Sequence, residues 1–271
     1  MFFYKGLIEG ALTTRASSLA FNFFLAFFPS IIVLFTLIPF VPIEGFQEQL
    51  FALIMDILPP STYEATKSIV DDIINHEQGG LLSLTFILAL YFSTNGVNAM
   101  ITGFNTTYHL TDKRTWIQLR LLSFILTLIL AILLILTIIF QIFSQSFMNN
   151  LVAEGYLQQY SADIISYAKW IILIIVLFIS ISILYYYGPA DKSKWKFLSA
   201  GSISATILSV ITSLGFSYYV DNFAQYNQLY GSIGTLLVIL LWMYFNSIIL
   251  LLGFELNASI VSAKEGQNKA D

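Results

Sequence analysis

Six stretches of the chain contain no Asp, Glu, Lys or Arg, and each is at least 21 residues long. An apolar helix needs about 20 residues to cross the roughly 30 Å hydrocarbon core of a bilayer, so each stretch is long enough for one crossing. The pattern therefore predicts an all-α, polytopic membrane protein with six transmembrane helices in a single membrane domain. The predicted spans cover residues 16–41, 81–104, 121–147, 170–187, 197–220 and 231–256.

The composition supports this fold and excludes several kinds of protein. Charged residues make up 10% of the chain, against about 25% in an ordinary soluble domain, which argues against a free-standing cytosolic enzyme. The largest segment between predicted spans, residues 44–80, is too short to sustain a hydrophobic core without disulfides or metal. Because the chain has no cysteine, disulfides, thiolate catalysis and cysteine-ligated zinc are excluded. Any function must therefore reside in the helix bundle or on its rims.

The basic residues predict the orientation of the bundle. Ten of the 12 Lys and Arg residues fall at the N-terminus, after the second span, after the fourth span and in the C-terminal tail, whereas Lys67 and Lys169 fall on the other side. Since cytoplasmic segments are enriched in Lys and Arg, both termini are predicted to be cytoplasmic. An even number of spans requires the termini to lie on the same side.

Residues 44–80 are expected to form a pair of short amphipathic helices outside the membrane. Residues 46–57 place apolar side chains at helical spacing, Pro59 and Pro60 end this run, and Ser61–Glu64 has the form of a capping box that opens a second helix. Two interpretations remain open. The pair is either a lid or lipid-contacting platform, or simply a cover packed over the outer ends of the spans.

Polar residues inside the predicted spans are the candidate functional residues. In the second span, Tyr91, Asn95, Asn98, Thr102, Asn105 and His109 follow one another at steps of three and four, which places them on one helix face. Most strong polar groups of the other spans also fall in the cytoplasmic half. The side chains predicted to line a polar cavity open to the cytoplasm are Asn22, Asn95, Asn98, Thr102, Asn105, Asn246 and Asn257. The alternative is that these amides and hydroxyls only fasten helices together.

Three further patterns concern packing. Glu255, the one carboxylate flanked by apolar residues within a span, is expected to pair with Arg15 or Arg120, unless it reaches the aqueous interface. Small residues recur at every fourth position of the fifth span from Gly201 to Ser217, which favours a central position for that helix. Residues 185–187 and Trp195 are expected to belong to an aromatic belt at the inner interface, and Pro29 and Pro39 to kink or end the first span.

Four runs carry a family resemblance. They are Arg15–Pro29 (RASSLAFNFFLAFFP), Phe92–Asn105 (FSTNGVNAMITGFN), and the pair Tyr226–Gly234 (YNQLYGSIG) and Leu251–Ala258 (LLGFELNA). In these runs the chain resembles the YihY/virulence factor BrkB family, and the likeness extends over nearly its whole length. The resemblance implies a six-span bacterial inner-membrane protein without a settled chemistry. It also implies a link to the export of envelope lipids, and the family carries an old ribonuclease BN label. Asn22 departs from the family pattern, where an aromatic pair is usual.

The sequence favours movement or export of an amphipathic envelope lipid as the function. A non-transporting membrane scaffold or envelope-assembly factor is the alternative. Ribonuclease activity is disfavoured, because metal-dependent cleavage of RNA needs clustered carboxylates or histidines and the chain has two separated histidines. We therefore expect no enzyme activity, no cofactor, no metal and no nucleic-acid partner. The expected partners are membrane lipids and, for the alternative, envelope-assembly proteins.

Overall fold

The computed structural model describes residues 12–37, 79–107, 113–153, 159–190, 195–223 and 232–267. Over these ranges the chain forms helices and no strand, so the all-helical fold expected from the sequence is confirmed. The helices are α1 (Leu12–Leu37), α2 (Gly79–Thr107), α3 (Trp116–Ala153), α4 (Gln159–Tyr187), α5 (Ala200–Phe223) and α6 (Ser232–Gln267).

Helices α2 to α6 are each long and apolar enough to cross a membrane. Within the described residues these five spans are Leu84–Thr106, Trp116–Gln141, Lys169–Tyr187, Ala200–Val220 and Leu236–Ala263. Helix α1 has 26 residues, which span about 39 Å, and it continues through Pro29. Pro39 and nearly all of the predicted amphipathic segment 44–80 lie outside the described residues, apart from Gly79 and Gly80 at the start of α2.

Reciprocal caps explain where two of the helices begin. The Thr115 N–H donates to Gln118 Oε1 at 2.9 Å and the Gln118 N–H donates to Thr115 Oγ1 at 3.4 Å, so α3 begins at Trp116 rather than at residue 121. Ser199 and Ser202 exchange the same kind of bonds, at 3.2 and 3.1 Å, and α5 begins at Ala200. Each pair satisfies backbone donors that a helix N-terminus would otherwise leave without a partner.

The helices pack in chain order around a closed ring. Each helix contacts the next one, α6 returns to contact α1, and α6 also contacts α2 across the interior. Contacts between Arg15 and Gly103, between Arg114 and Gly188, and between Gly201 and Asn257 place the starts of α1, α3 and α5 together with the ends of α2, α4 and α6. We call this the basic end of the bundle, and it is the end predicted to be cytoplasmic.

An aromatic cluster fills the interior of the basic end. The rings of Phe104 and Phe254 stack with centroids 4.3 Å apart, and the rings of Tyr185 and Trp195 pack against them. All four side chains are buried. The expectation that Tyr185 and Trp195 belong to an interfacial belt is therefore wrong. A tyrosine side chain can be buried when its hydroxyl group forms a hydrogen bond. The Tyr185 hydroxyl does so, because it donates to Leu250 O at 2.6 Å.

Helices α5 and α6 approach each other closely at two glycines. A Cβ atom on Gly201 would lie 2.0 Å from the carbonyl oxygen of Gly253, a distance that real Cβ contacts do not allow. A Cβ atom on Gly253 would lie 2.7 Å from the Ala205 side chain. The small residues of α5 thus pack on α6 near the basic end. Because they have little or no side chain there, the two backbones come close together.

Candidate functional site

A buried ion pair joins three helices at the basic end. Arg15 Nη2 lies 3.1 Å from Glu255 Oε1, and Arg15 Nη1 donates to the carbonyl oxygen of Gly103 at 2.9 Å. The two side chains are 12% and 1% exposed. Of the two arginines expected as partners of Glu255, Arg15 is therefore the one in contact. Within the described residues, Glu255 Oε2 has no hydrogen-bond partner.

Two of the predicted amides join segments that are distant in sequence. Asn105 Oδ1 accepts a hydrogen bond from the Ala190 N–H at 2.9 Å, just beyond the end of α4. Asn257 Oδ1 accepts from the Gly201 N–H at 2.7 Å, and its Nδ2 donates to Ser199 Oγ at 2.9 Å. Both side chains are buried. They fasten the C-terminal part of α2 to the segment after α4, and α6 to the first turn of α5.

Three other predicted residues bond to the backbone of their own helix. Asn22 donates to Ser18 O, Asn246 to Trp242 O and Thr102 to Asn98 O, each about one turn back. Such bonds satisfy one group of the side chain without joining helices. Among the seven predicted residues, the side chains that form hydrogen bonds do so with separate partners. That the seven line one cavity open to the cytoplasm stays a prediction.

The polar face of α2 divides between the interior and the surface of the bundle. Thr102 is exposed, and Asn95 and Asn98 are half-buried, whereas Asn105 is 6% exposed. Successive residues of an α-helix are rotated by about 100° around its axis. Thr102 and Asn105 are three residues apart, so their side chains point in directions about 60° apart. This rotation carries Asn105 toward the end of α4. We call Tyr91, Asn95, Asn98 and Thr102 the polar stripe.

Arg120 of α3 lies against the polar stripe. Its guanidinium donates to Asn95 Oδ1, and its Cζ atom is 5.8 Å from the centroid of the Tyr91 ring and 5.8 Å from that of the Trp116 ring. Both distances are within the range of cation–π attraction. Tyr91 is 54% and Trp116 72% exposed, so the guanidinium lies at the surface of the bundle. No acidic side chain of the described residues pairs with it.

A groove of about 450 Å³ lies on another flank of the bundle, between α1, α5 and α6. Its lining is almost wholly apolar and includes none of the predicted cavity residues. The lining residues are Ser17, Ala20, Phe21, Phe216, Tyr219, Leu237, Val238, Leu240, Leu241 and Tyr244. Such a lining offers few hydrogen-bond partners to a polar molecule.

The family profile described as virulence factor BrkB matches residues 3–271, almost the entire chain. The chain belongs to the virulence factor BrkB family. The runs that carry the resemblance supply Arg15, Gly103, Asn105, Gly253, Glu255 and Asn257, the residues that fasten the basic end. Three of the four runs thus contribute interior contacts at the basic end, whereas most of the run Tyr226–Gly234 lies outside the described residues.

Relatives of this BrkB-family chain are membrane proteins of unestablished biochemistry. It is 31% identical over 254 residues to the ribonuclease-like protein YfkH of Bacillus subtilis (strain 168), covering 93% of this chain and 91% of that protein. It is 24% identical to a UPF0761 membrane protein of Coxiella burnetii (strain RSA 493 / Nine Mile phase I), covering 93% and 89%. It is 22% identical to the UPF0761 membrane protein IL2447 of Idiomarina loihiensis, covering 80% and 72%. No solved structure matches the chain.

The ribonuclease-like name of YfkH describes that protein. The described residues of this family member contain no group of three His, Cys, Asp or Glu side chains placed to hold a metal ion.

The sequence did signal Arg15, Glu255 and the amides, because polar groups in apolar helices are conspicuous. It did not signal the segment from Gly188 to Ala190. The Gly188 carbonyl oxygen accepts a hydrogen bond from Arg114, and the Ala190 N–H donates one to Asn105. The dipeptide Gly188–Pro189 after α4 is a helix-stop signal that could have suggested a turn there.

Proposed function

We propose that this BrkB-family protein moves an amphipathic lipid of the cell envelope between the leaflets of the bacterial inner membrane. The observation that carries the proposal is the polar stripe, which presents Tyr91 and Thr102 at the surface of a membrane-spanning helix. From Tyr91 to Thr102 the stripe extends roughly 16 Å along α2, about half of a hydrocarbon core. The stripe is thus long enough to guide a headgroup through one half of the bilayer.

The energetics of polar groups in lipid support this assignment. An amide or hydroxyl that faces hydrocarbon without a partner costs several kcal/mol, so polar side chains inside membranes usually face other helices or water. The side-chain amide of Asn98 has one carbonyl oxygen and one NH2 group. This side chain is half-buried beside the exposed Thr102. A lipid headgroup that slides along α2, with its acyl chains in the bilayer, supplies hydrogen-bond partners to these groups. The same groups lower the barrier for the headgroup.

Reconstitution tests the proposal directly. The purified protein is placed in liposomes that contain a fluorescent phospholipid, and a membrane-impermeant quencher reports how fast lipid leaves the protected leaflet. We expect faster exchange than in empty vesicles. The double variant N98L/T102V should exchange lipid roughly five- to tenfold more slowly, because each membrane hydrogen bond is worth about 0.6 kcal/mol.

A matched control separates the stripe from general loss of polarity. The Ser180 hydroxyl on α4 donates to Val176 O at 2.8 Å, the same kind of bond that Thr102 makes with Asn98 O. The variant S180A should therefore exchange lipid at the wild-type rate. Wild-type vesicles that exchange lipid no faster than empty ones would contradict transport and would favour a scaffold or envelope-assembly role.

A further inference from the structure

Arg120 carries a positive charge that no acidic side chain in the described ranges balances. The contrast with Arg15 is direct, because Arg15 meets Glu255 at 3.1 Å inside the bundle. The guanidinium of Arg120 instead donates to the neutral Asn95 and lies near two exposed rings. A guanidinium has five N–H donors, so a single amide leaves most of its hydrogen-bonding capacity for a ligand.

Arg120 is the fifth residue of the apolar span of α3, and its side chain reaches the middle of the apolar span of α2. Asn95 lies eleven residues before Thr106, the last residue of the apolar span of α2. At about 1.5 Å per residue, its Cα atom is roughly 16 Å from that end, near the middle of the α2 span. A guanidinium held beside an apolar span is costly, and such groups usually have an anionic partner or a water-filled path.

The surrounding side chains select the chemistry of that partner. The faces of Tyr91 and Trp116 attract cations, and both are already near the Arg120 guanidinium. A choline headgroup would therefore compete with Arg120 for these rings, whereas a phosphate carries the charge that the guanidinium needs. The planar guanidinium matches phosphate oxygens in two parallel hydrogen bonds. Thr102 and Asn98 continue the same surface toward the basic end with hydroxyl and amide groups.

We propose that Arg120, oriented by Asn95, Tyr91 and Trp116, binds the phosphate of an anionic glycerophospholipid whose headgroup has entered the hydrocarbon region. This inference rests on the proposed function in assigning the bound lipid as the one that moves along the polar stripe. Binding itself is measured separately from movement. The substrate class that this site predicts is lipids whose headgroup has a net negative charge.

The experiment measures lipid binding to the detergent-purified full chain by native mass spectrometry. Phosphatidylglycerol and phosphatidylcholine with the same acyl chains are compared, and water-soluble glycerol phosphate is added as a competitor. The variant R120Q should bind phosphatidylglycerol at least about tenfold more weakly, since a charge-assisted hydrogen bond is worth about 1.5–3 kcal/mol. The variant K196Q removes an exposed charge near the start of α5 and should bind both lipids as the wild type does.

A second measurement uses only the wild-type protein, so it does not depend on the folding of R120Q. Phosphatidylglycerol with a photoreactive headgroup should label peptides that contain Tyr91 or Trp116. Labelling confined to other helices, or equal affinity of the wild type for the two lipids, would overturn the site. Displacement of the lipid by glycerol phosphate at equal concentration would also overturn it, because the site would then bind soluble anions.

The two proposals fail in different ways. Selective binding that depends on Arg120, without lipid exchange in liposomes, would contradict transport and leave the phosphate site standing. Rapid lipid exchange that is equal for the wild type and R120Q, together with unselective binding, would overturn the site and leave transport standing.

Discussion

Inside the basic end, Arg15 lies between α2 and α6 and bonds to Gly103 O and Glu255. On the surface of α2 and α3, Arg120 bonds to one amide and lies near two exposed rings. Both arginines are near the start of a helix, Arg15 in α1 and Arg120 in α3, and their surroundings differ completely. The interior arginine has a buried carboxylate as its partner. Within the described ranges, the surface arginine has no acidic partner, so a lipid anion is the partner that we propose for it.

The asparagines repeat this contrast. Asn257 uses both ends of its amide to fasten α6 to the start of α5, whereas Asn98 on the polar stripe receives no side-chain partner from the described residues. A polar group that is fully used between helices contributes to stability, and one left at the surface is available for a ligand. The difference predicts that substitutions inside the basic end lower the free energy of unfolding. Substitutions on the stripe should instead change lipid handling.

The largest expected effect is that of E255L on stability. Removal of the carboxylate leaves Arg15, whose side chain is 12% exposed, without its ionic partner. Loss of one member of a buried pair costs about 3–5 kcal/mol, because the other charge remains buried. The measurement is the free energy of unfolding in mixed detergent micelles titrated with a denaturing detergent.

The double variant R15L/E255L controls for the loss of packing. With both charges replaced by apolar side chains, much of the lost stability should return, since an apolar pair often replaces a buried ion pair without net cost. A double variant no more stable than E255L would show that the ion pair does not account for the effect.

The next largest effect is that of G201A. An added Cβ atom would meet the backbone oxygen of Gly253 at 2.0 Å and the Asn257 side chain at 2.6 Å. The Gly253 backbone oxygen cannot move without separating α5 from α6, so we expect a loss of about 1–3 kcal/mol, typical of overpacked interiors. The same unfolding titration measures it.

Gly215 provides the matched control for this crossing. A Cβ atom added there would have no neighbour within 4 Å, and Gly215 belongs to the same helix. G215A should be neutral or slightly stabilising, because alanine has the higher helix propensity. Equal losses for the two variants would mean that close approach at Gly201 does not hold α5 and α6 together.

Much of this fold follows from the sequence, because charges are excluded from hydrocarbon and the uncharged stretches therefore mark the helices. The sequence also indicated that Glu255 would find an arginine, since an isolated carboxylate is costly at that depth. It could not choose between Arg15 and Arg120. That choice depends on the rotation and neighbours of α1 and α3, which local periodicity does not contain.

The candidate site was less predictable for a related reason. Spacing places Tyr91, Asn95, Asn98, Thr102 and Asn105 on one broad face of α2, and a face alone does not reveal which neighbour covers it. The structure turns Asn105 into the interior and leaves Thr102 exposed. Likewise, Tyr185 and Trp195 have the composition of an interfacial belt, and only tertiary packing on Phe254 buries them.

A smaller effect is expected for N257L. This variant leaves the Gly201 N–H without an acceptor at the first turn of α5 and removes the bond to Ser199 Oγ. Hydrogen bonds between membrane helices contribute about 0.6 kcal/mol on average and at most about 1.7 kcal/mol, so a loss of about 1–2 kcal/mol is expected. N257D retains an acceptor for the Gly201 N–H and tests whether that bond dominates. If N257L had the stability of the wild type, the prediction that Asn257 stabilises the basic end would be wrong.

The smallest expected effect on stability is that of N98L, although it replaces the same residue type in a span. Asn98 is half-buried on the polar stripe, and its backbone oxygen, which N98L retains, is the acceptor for Thr102. The free energy of unfolding should change by less than about 0.5 kcal/mol, as for most surface substitutions. A leucine here also matches hydrocarbon better than an amide does, so any change should be toward greater stability. If N98L were as destabilising as N257L, Asn98 would have a structural role between helices. That result would contradict the proposal that the polar stripe guides a lipid headgroup.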